Sequence, residues 1–456
     1  MKLTVIIKIA SIKFVLLVEG LLMSDNLTKR LSKIKETLDG VYDRLKDIFL
    51  TTSVLKVVRE YAWRSIDDIE LWALFCATID FQVSVISWLI PMLSGLLREL
   101  ENKRIKFIDL VYDHNLAKNL LTNFKWYGAK RTGFSHRFIK LDDILKFFKA
   151  LKQIHSREGS IGNLVCRLYN HALNRDSKEP IVDAIKGLAR CLRNELKKAY
   201  GDTTNARTKI SRFIPDPNGK SAMKRLCLYF RWMTRGYPDL GLWDFIDPQH
   251  LLVSLDVGVI RVVNRAFKGI MKQLGISIKE HATLDMAIRV TRFLRHVNSE
   301  DPAKYDYVLS RPSIMGYCVK QSGKSKCYLC PIYEICESSR KLPPPRKGRH
   351  PLSEREKRIF ERFKLVYGSQ FDKFNTSYPV GDRTIDVVAH ERRCRYWVIE
   401  IEPILNYEAI GQAVAYRLLY QKHYGIRPKA AIICAQAKPD LKHACEYDAD
   451  ITVFVV

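Results

Sequence analysis

Long uncharged runs are missing from this chain. Lys2, Lys8, Lys13 and Glu19 cut the apolar N-terminus MKLTVIIKIASIKFVLLVEGLLM into uncharged stretches of at most five residues, too short for a membrane span or a secretory apolar core. Acidic residues are scarce as well. There are 49 Asp and Glu against 76 Lys and Arg, a formal net charge of +27 over 456 residues, which points to a polyanionic partner, most commonly nucleic acid. The polar bias of a disordered basic tail is absent, because 47% of residues are hydrophobic and 11% aromatic. No internal repeat is present. Residues 1–22 read either as an upstream extension or as an early start ahead of Met23, and the expected location is the cytoplasm.

The excess charge is uneven. Residues 351–456 hold 16 basic and 14 acidic residues, leaving 60 and 35 in residues 1–350, so the first 350 residues are the part expected to meet a polyanion. Alternating apolar patterns are nearly absent from residues 27–298, where helical spacing dominates, as in ELWALFCATIDFQVSVISWLIPMLSGLLREL. Breaks rich in Gly, Pro, Asn and Asp fall at 201–208, 214–221, 235–241 and 298–302. The triple proline of RKLPPPRKGRHP marks a stiff linker. After it the pattern changes to helix, strands, helix, strand, short helix and strand. The expected organisation is an N-terminal extension and helix (1–50), an all-α domain (51–340), a linker (341–351) and a small α/β domain (352–456).

Seven of the eleven cysteines are scattered and read as buried free thiols. The other four, Cys318, Cys327, Cys330 and Cys336, are spaced C-x8-C-x2-C-x5-C, and four thiolates on one short loop suggest a metal site. A second C-x2-C knuckle, usual in structural zinc sites, is lacking. The spacing therefore favours a 4Fe–4S cluster, with zinc as the alternative. Lys320, Lys324 and Lys326 on the same loop are candidates for phosphate contacts.

That loop resembles the C-x6-C-x2-C-x5-C cluster of endonuclease III-like DNA glycosylases, with two more residues in the first gap. Leu255-Asp256-Val257-Gly258-Val259-Ile260-Arg261-Val262-Val263-Asn264-Arg265 is similar to the D-x-x-V-x-R-V-x-N-R segment that carries the catalytic aspartate in that superfamily. The I-P-D-P-N, K-R-L-x-x-x-x-R-W-M and L-D segments within residues 212–256 resemble an uncharacterised helix-hairpin-helix family related to archaeal 8-oxoguanine DNA glycosylase. The resemblance covers about residues 50–340. It implies a helix-hairpin-helix domain acting on double-stranded DNA, with Lys224 as the catalytic lysine, Asp256 as its aspartate and the four cysteines as cluster ligands. Asn218, Gly219 and Lys220 of the hairpin, with Arg225 and Arg261, are the residues expected to meet DNA. The chain departs from the family in two places. The hairpin has one glycine where G-x-G is usual, and Val257-Gly258 follows the aspartate in place of the frequent Thr-His.

Lys224 and Asp256 are 32 residues apart, and each stands at the start of a predicted helix. A lysine amine attacks a sugar C1′ only when neutral, so burial or a neighbouring cation such as Arg225 is expected to lower its pKa. Asp256 would then stabilise the developing positive charge and assist deprotonation, leading to a Schiff base and strand nicking. The plainer reading makes Lys224 a solvated helix lysine and Asp256 an N-cap. Flipping a base out of the duplex calls for aromatic walls, and residues 123–138 interleave Phe124, Trp126, Tyr127, Phe134 and Phe138 with Lys125, Lys130, Arg131 and Arg137. Core packing accounts for that stretch equally well.

The C-terminal domain resembles the restriction-endonuclease-like fold, with Asp386, Glu400 and Glu402 at the D-x(n)-(D/E)-x-K positions and Gln412-x3-Tyr416 in the next helix. Asp386 and Glu400 would hold Mg²⁺. The lysine that orients water is lacking, because Glu402 stands there. The expected function is base excision with abasic-site lyase activity. A metal-dependent endonuclease and a non-catalytic DNA-binding repair protein are the alternatives.

Overall fold

The structure, a computed structural model, describes residues 25–126, 131–201, 205–322, 325–327, 330–339, 352–380, 383–391 and 395–456. The N-terminal extension with Met23, Tyr127, Lys130, Lys324 and the 341–351 linker lie outside the described residues. The described residues form two units, one of residues 25–326 and 330–339, the other of residue 327 and residues 352–456.

The first unit is helical. Its main helices are α1 (Asp25–Thr51), α2 (Ile66–Ile79), α3 (Leu141–Glu158), α4 (Ile161–Asn174), α5 (Pro180–Tyr200), α6 (Ala206–Phe213), α7 (Lys224–Thr234), α8 (Val257–Gln273), α9 (Leu284–Val297) and α10 (Asp306–Ile314). Local chemistry sets their ends. Ser160, Asp256 and Thr283 cap α4, α8 and α9 by accepting first-turn amide protons, and Gly201, at φ +63°, ends α5 in a left-handed conformation. Helix α2 is buried from Asp68 to Ile79, with Tyr61 and Trp243 donating to its buried carboxylates Asp68 and Glu70, and it forms the spine against which α7 packs. Helix α8 packs against α10. Alternating patterns are nearly absent from the sequence here, but a two-stranded antiparallel ribbon, β1 (Lys125–Trp126) with β2 (Arg131–Thr132), interrupts the helices. Two-residue strands are too short to show a period of two. The buried Trp126 indole secures the ribbon by donating to the Gly133 carbonyl at 2.9 Å.

The second unit is α/β. Its elements run α11 (Glu354–Tyr367), β3 (Phe371–Val380), β4 (Arg383–Glu391), β5 (Arg395–Ile404), α12 (Tyr407–Tyr424), β6 (Lys429–Gln436), α13 (Pro439–Tyr447) and β7 (Ile451–Val455). Strand order is β3-β4-β5-β6-β7, with the first two pairings antiparallel and the last two parallel. Phe360 and Phe363 of α11 join Trp397, Ile399 and Ile401 in the core on one face of the sheet, while Ala409, Ala413 and Tyr420 of α12 join Val398 and Ile432 on the other. Alternate residues of β5 thus enter different cores, and Glu400 and Glu402 share the parity of Val398.

Candidate functional site

Lys224 and Asp256 meet. Lys224 Nζ donates to Asp256 Oδ2 at 2.8 Å, and the two side chains are 38% and 36% exposed. Lys224 opens α7 after Met223, whose φ of 56° is left-handed, an uncommon conformation for a residue with a side chain. Asp256 caps α8. Its Oδ1 accepts from the Gly258 and Val259 amides, both at 2.8 Å. The cap reading and the pairing reading of Asp256 therefore both hold, one on each oxygen.

The electrostatics differ from the sequence expectation. Burial pulls the Lys224 amine down, but Asp256, Asp80 and the hydrogen bond to Asp256 outweigh it, and its pKa ends above the ordinary lysine value. Burial likewise works against ionising Asp256, yet Lys224 and the two amide donors hold its carboxyl below the usual range. The resting site is thus an ion pair. Arg225 is engaged elsewhere. Its Nη1 donates to the Thr78 and Arg212 carbonyls, both at 2.6 Å, and its guanidinium lies 4.5 Å from the Phe81 ring centre. Arg225 braces α7 against the end of α2.

Asn218, Gly219 and Lys220 are exposed in the loop between α6 and α7. Asp216 shapes this loop by accepting the Asn218 amide at 3.0 Å, and Arg193 of α5 anchors its start by donating to the Ile214 carbonyl at 2.7 Å. Arg261 and Arg265, one turn apart on α8, face the cysteine loop. Arg261 donates to the Cys318 carbonyl at 3.2 Å. Arg265 donates to the carbonyls of Val319 and Lys320 and to Cys318 Sγ at 3.4 Å. One helix therefore carries Asp256 at its start and holds the cysteine loop along its side. The glycine of that departure sits in a tight place: a Cβ on Gly258 would lie 2.4 Å from Ser313 Oγ of α10. A bulkier residue cannot sit there while α8 and α10 pack this closely.

Cys318, Cys327, Cys330 and Cys336 are each half-buried, and three of them, Cys318, Cys330 and Cys336, pack against the helical core. The donor set suits an iron–sulfur cluster in kind, and the Arg265 guanidinium donates to one of its sulfur atoms, Cys318 Sγ. Among the described residues, no group of three or more His, Cys, Asp or Glu side chains is gathered to hold a metal.

Phe124 and Trp126 belong to the core, whereas Phe134, His136 and Phe138 are half-buried. His136 packs on Phe81 with ring centres 4.9 Å apart, and Phe138 stacks on Phe81 at 6.4 Å. This brings an aromatic row to the end of α2, beside Asp80 and Arg225.

Sequence reasoning missed a buried network behind the pair. Arg231 on α7 bridges Asp239 (3.3 Å) and Asp306 (3.1 Å), Arg235 bridges Asp239 and Asp301 (both 2.7 Å), and Asp306 accepts the Ser254 amide at 3.0 Å. It ties α7 and α10 to the segment ending at Asp256. Its signal was Arg231 and Arg235, four apart at the end of a helix that is otherwise apolar after Arg225.

In the second unit, the β4–β5 ladder stops at Val387 and Ile399. Beyond that fork, Asp386 Oδ2 accepts the Ile401 amide at 2.9 Å, and Asp386 and Glu400 share a side-chain hydrogen bond. Burial raises both carboxyls, Glu400 the further, with Asp386, Glu402 and Glu356 adding to the rise at Glu400. Glu402 is raised by burial and by Glu356 and Glu408. Glu400 is 5% exposed, and its Oε2 and the Gln412 Oε1 are buried without hydrogen-bond partners among the described residues. These unsatisfied oxygens suit a divalent cation in kind.

No helix among the described residues is long and apolar enough to cross a membrane. No curated protein and no solved structure matches the chain. Residues 55–315, which contain both members of the Lys224–Asp256 pair, match the family described as protein of unknown function (DUF2400), and the chain belongs to that family.

Proposed function

We propose that the helical unit is a helix-hairpin-helix DNA glycosylase with abasic-site lyase activity, in which Lys224 is the nucleophile and Asp256 its partner. The observation that carries this reading is the 2.8 Å contact between a lysine and an aspartate that each open a helix at a half-exposed position. An amine so placed is within reach of a sugar C1′ presented from solvent. Asp256, kept ionised by its cap, would stabilise the positive charge that develops on the sugar. The row Phe81, His136 and Phe138 offers stacking faces for an extruded base. Double-stranded DNA would meet the exposed hairpin at Asn218, Gly219 and Lys220, and Arg261 would serve from the rim of the cysteine loop. Binding should fall steeply with salt.

Cys318, Cys327, Cys330 and Cys336 would hold a 4Fe–4S cluster, or zinc in its place. When bound, it supplies a rigid clamp on the loop that α8 supports. Iron and sulfide content after anaerobic purification separates the two metals. The decisive experiment is borohydride trapping of the protein on a duplex with one abasic site. A covalent adduct is expected, and its absence from active, folded protein would refute the lyase assignment. A screen of duplexes, each with one lesion, then identifies the excised base.

The unsatisfied oxygens of Glu400 and Gln412 favour a second, subsidiary reading. The α/β unit would bind Mg²⁺ or Mn²⁺ weakly through Asp386 and Glu400, and with Glu402 in the lysine position it would cleave undamaged DNA little, if at all.

A further inference from the structure

Asp256 has no oxygen to spare. Oδ1 takes two amide protons and Oδ2 takes the Lys224 ammonium, all at 2.8 Å, and a carboxylate so well supplied with donors is a poor proton acceptor. Lys224 nevertheless has to lose a proton before it can attack.

A second carboxylate is available. Asp80 caps the C-terminus of α2, the helix against which α7 packs. The chain on either side of it touches the first turn of α7, because the Thr78 carbonyl accepts from Arg225 and the Phe81 ring lies under the same guanidinium. Asp80 is half-buried, yet among the described residues its carboxylate makes no hydrogen bond and no ion pair. The charged groups facing it are Lys224 and Arg225 from α7 and Asp256 from the start of α8. His136, whose Nε2 lies 3.2 Å from the Ile79 carbonyl, flanks it from the aromatic segment, and Cys76 does so from its own helix.

We propose that Asp80, and not Asp256, accepts the proton that converts Lys224 from ammonium to nucleophile, while Asp256 stays ionised throughout. The inference rests on the glycosylase reading. The proton passes from Nζ to an Asp80 oxygen, directly after the ammonium swings away from Asp256 or through one water. The lone pair left on Nζ forms the bond to C1′. With a damaged base in place, the pair of the C1′–base bond departs with the base, which takes a proton from water; on an abasic site the aldehyde oxygen leaves instead as water, with the two protons that Nζ gives up. Environment supports this division of roles. Burial raises the Asp80 carboxyl despite Lys224 and Arg225, whereas Asp256 is held low, and opposed shifts of this kind separate an acceptor from a permanent anion. Burial lowers His136 and raises the Cys76 thiol, so both remain neutral beside it.

The test measures trapping rates on abasic-site duplex for the full chain, Asp80→Asn, Asp80→Glu and Asp256→Asn, from about pH 5 to about pH 9.5. Asp80→Asn should slow trapping near neutrality by a factor on the order of 10²–10⁴, and the deficit should narrow as the pH rises and hydroxide takes over removal of the proton. Asp80→Glu should recover part of the loss, and Asp256→Asn should stay slow at every pH. Asp80→Asn should also melt close to the wild type, since it removes a half-buried charge that makes no hydrogen bond and no ion pair among the described residues. Asp80→Ala gives the same readout should the Asn variant not fold. A field effect alone predicts the opposite sign, because removing a carboxylate lowers the Lys224 pKa and speeds trapping at neutral pH. A rate that is unchanged, raised, or lowered equally at all pH values overturns the role of Asp80 while leaving the lyase assignment standing. A wild type that does not trap overturns both.

Discussion

The two units treat buried charge in opposite ways. In the helical unit Lys224 and Asp256 neutralise each other, each with its polar atoms engaged. In the α/β unit Asp386, Glu400 and Glu402 gather like charge, and the strain is relieved by raised pKa values and a hydrogen bond between two carboxyls. A self-neutralised pair is set before substrate arrives, whereas a cluster of one sign is completed only by a proton or a metal ion. Both sites sit where regular structure begins or opens: two helix starts in the first, a fork between strands in the second.

The largest expected effect sharpens the first half of that contrast. Lys224→Gln should abolish borohydride trapping while leaving DNA affinity nearly intact, because only the nucleophile is lost. If the variant still traps, attention passes to Lys220 or Lys209, the latter 3.4 Å from Asp143. Asp256→Asn should retain the cap and lower excision by a factor on the order of 10²–10⁴, measured in single-turnover assays. A wild-type rate would reduce Asp256 to its capping role.

Support behind the pair should be worth more in stability than the pair itself. Arg231 is 4% exposed on its side chain and faces two carboxylates, so Arg231→Met should cost on the order of 3–5 kcal/mol in denaturant unfolding. Lys224→Met breaks a half-exposed pair and should cost no more than about 1 kcal/mol. Equal costs would mean that the network does not hold the segment that ends at Asp256.

The smallest effects lie in the second unit. Millimolar Mg²⁺ should raise stability by about 1 kcal/mol, as weak binding to the folded state alone would, and Asp386→Asn should remove the response. Glu402→Lys restores the missing lysine position and should bring metal-dependent nicking of undamaged DNA. If neither stabilisation nor nicking appears, the carboxylate cluster is not a metal centre and the unit is a docking module.

Much of this architecture was legible in the residues. Helical spacing before the triple proline and the change of pattern after it anticipated the helical and α/β units, and the Asp at a helix start anticipated the cap at α8. Lys224 and Asp256 could be paired because the turn between them is rich in Gly, Pro and Asp. Asp80 could not be found that way, since it lies in a different helix far earlier in the chain and only the packing of α2 on α7 brings it near. The closeness of Gly258 to Ser313 was equally hidden, and so was the point at which the β4–β5 ladder ends.

Composition and periodicity by themselves determined the strongly basic first 350 residues, the places where helices start and stop, and the residue types available for chemistry, because these depend on neighbours within a turn or two of chain. The protonation states were decided by the tertiary structure. Lys224 was expected to be lowered by burial and by Arg225, yet it is raised, because Asp256 and Asp80 face it and Arg225 is turned toward carbonyls and a ring. A pKa is set by the distance to opposite charge and by access to water, and packing between helices remote in sequence fixes both.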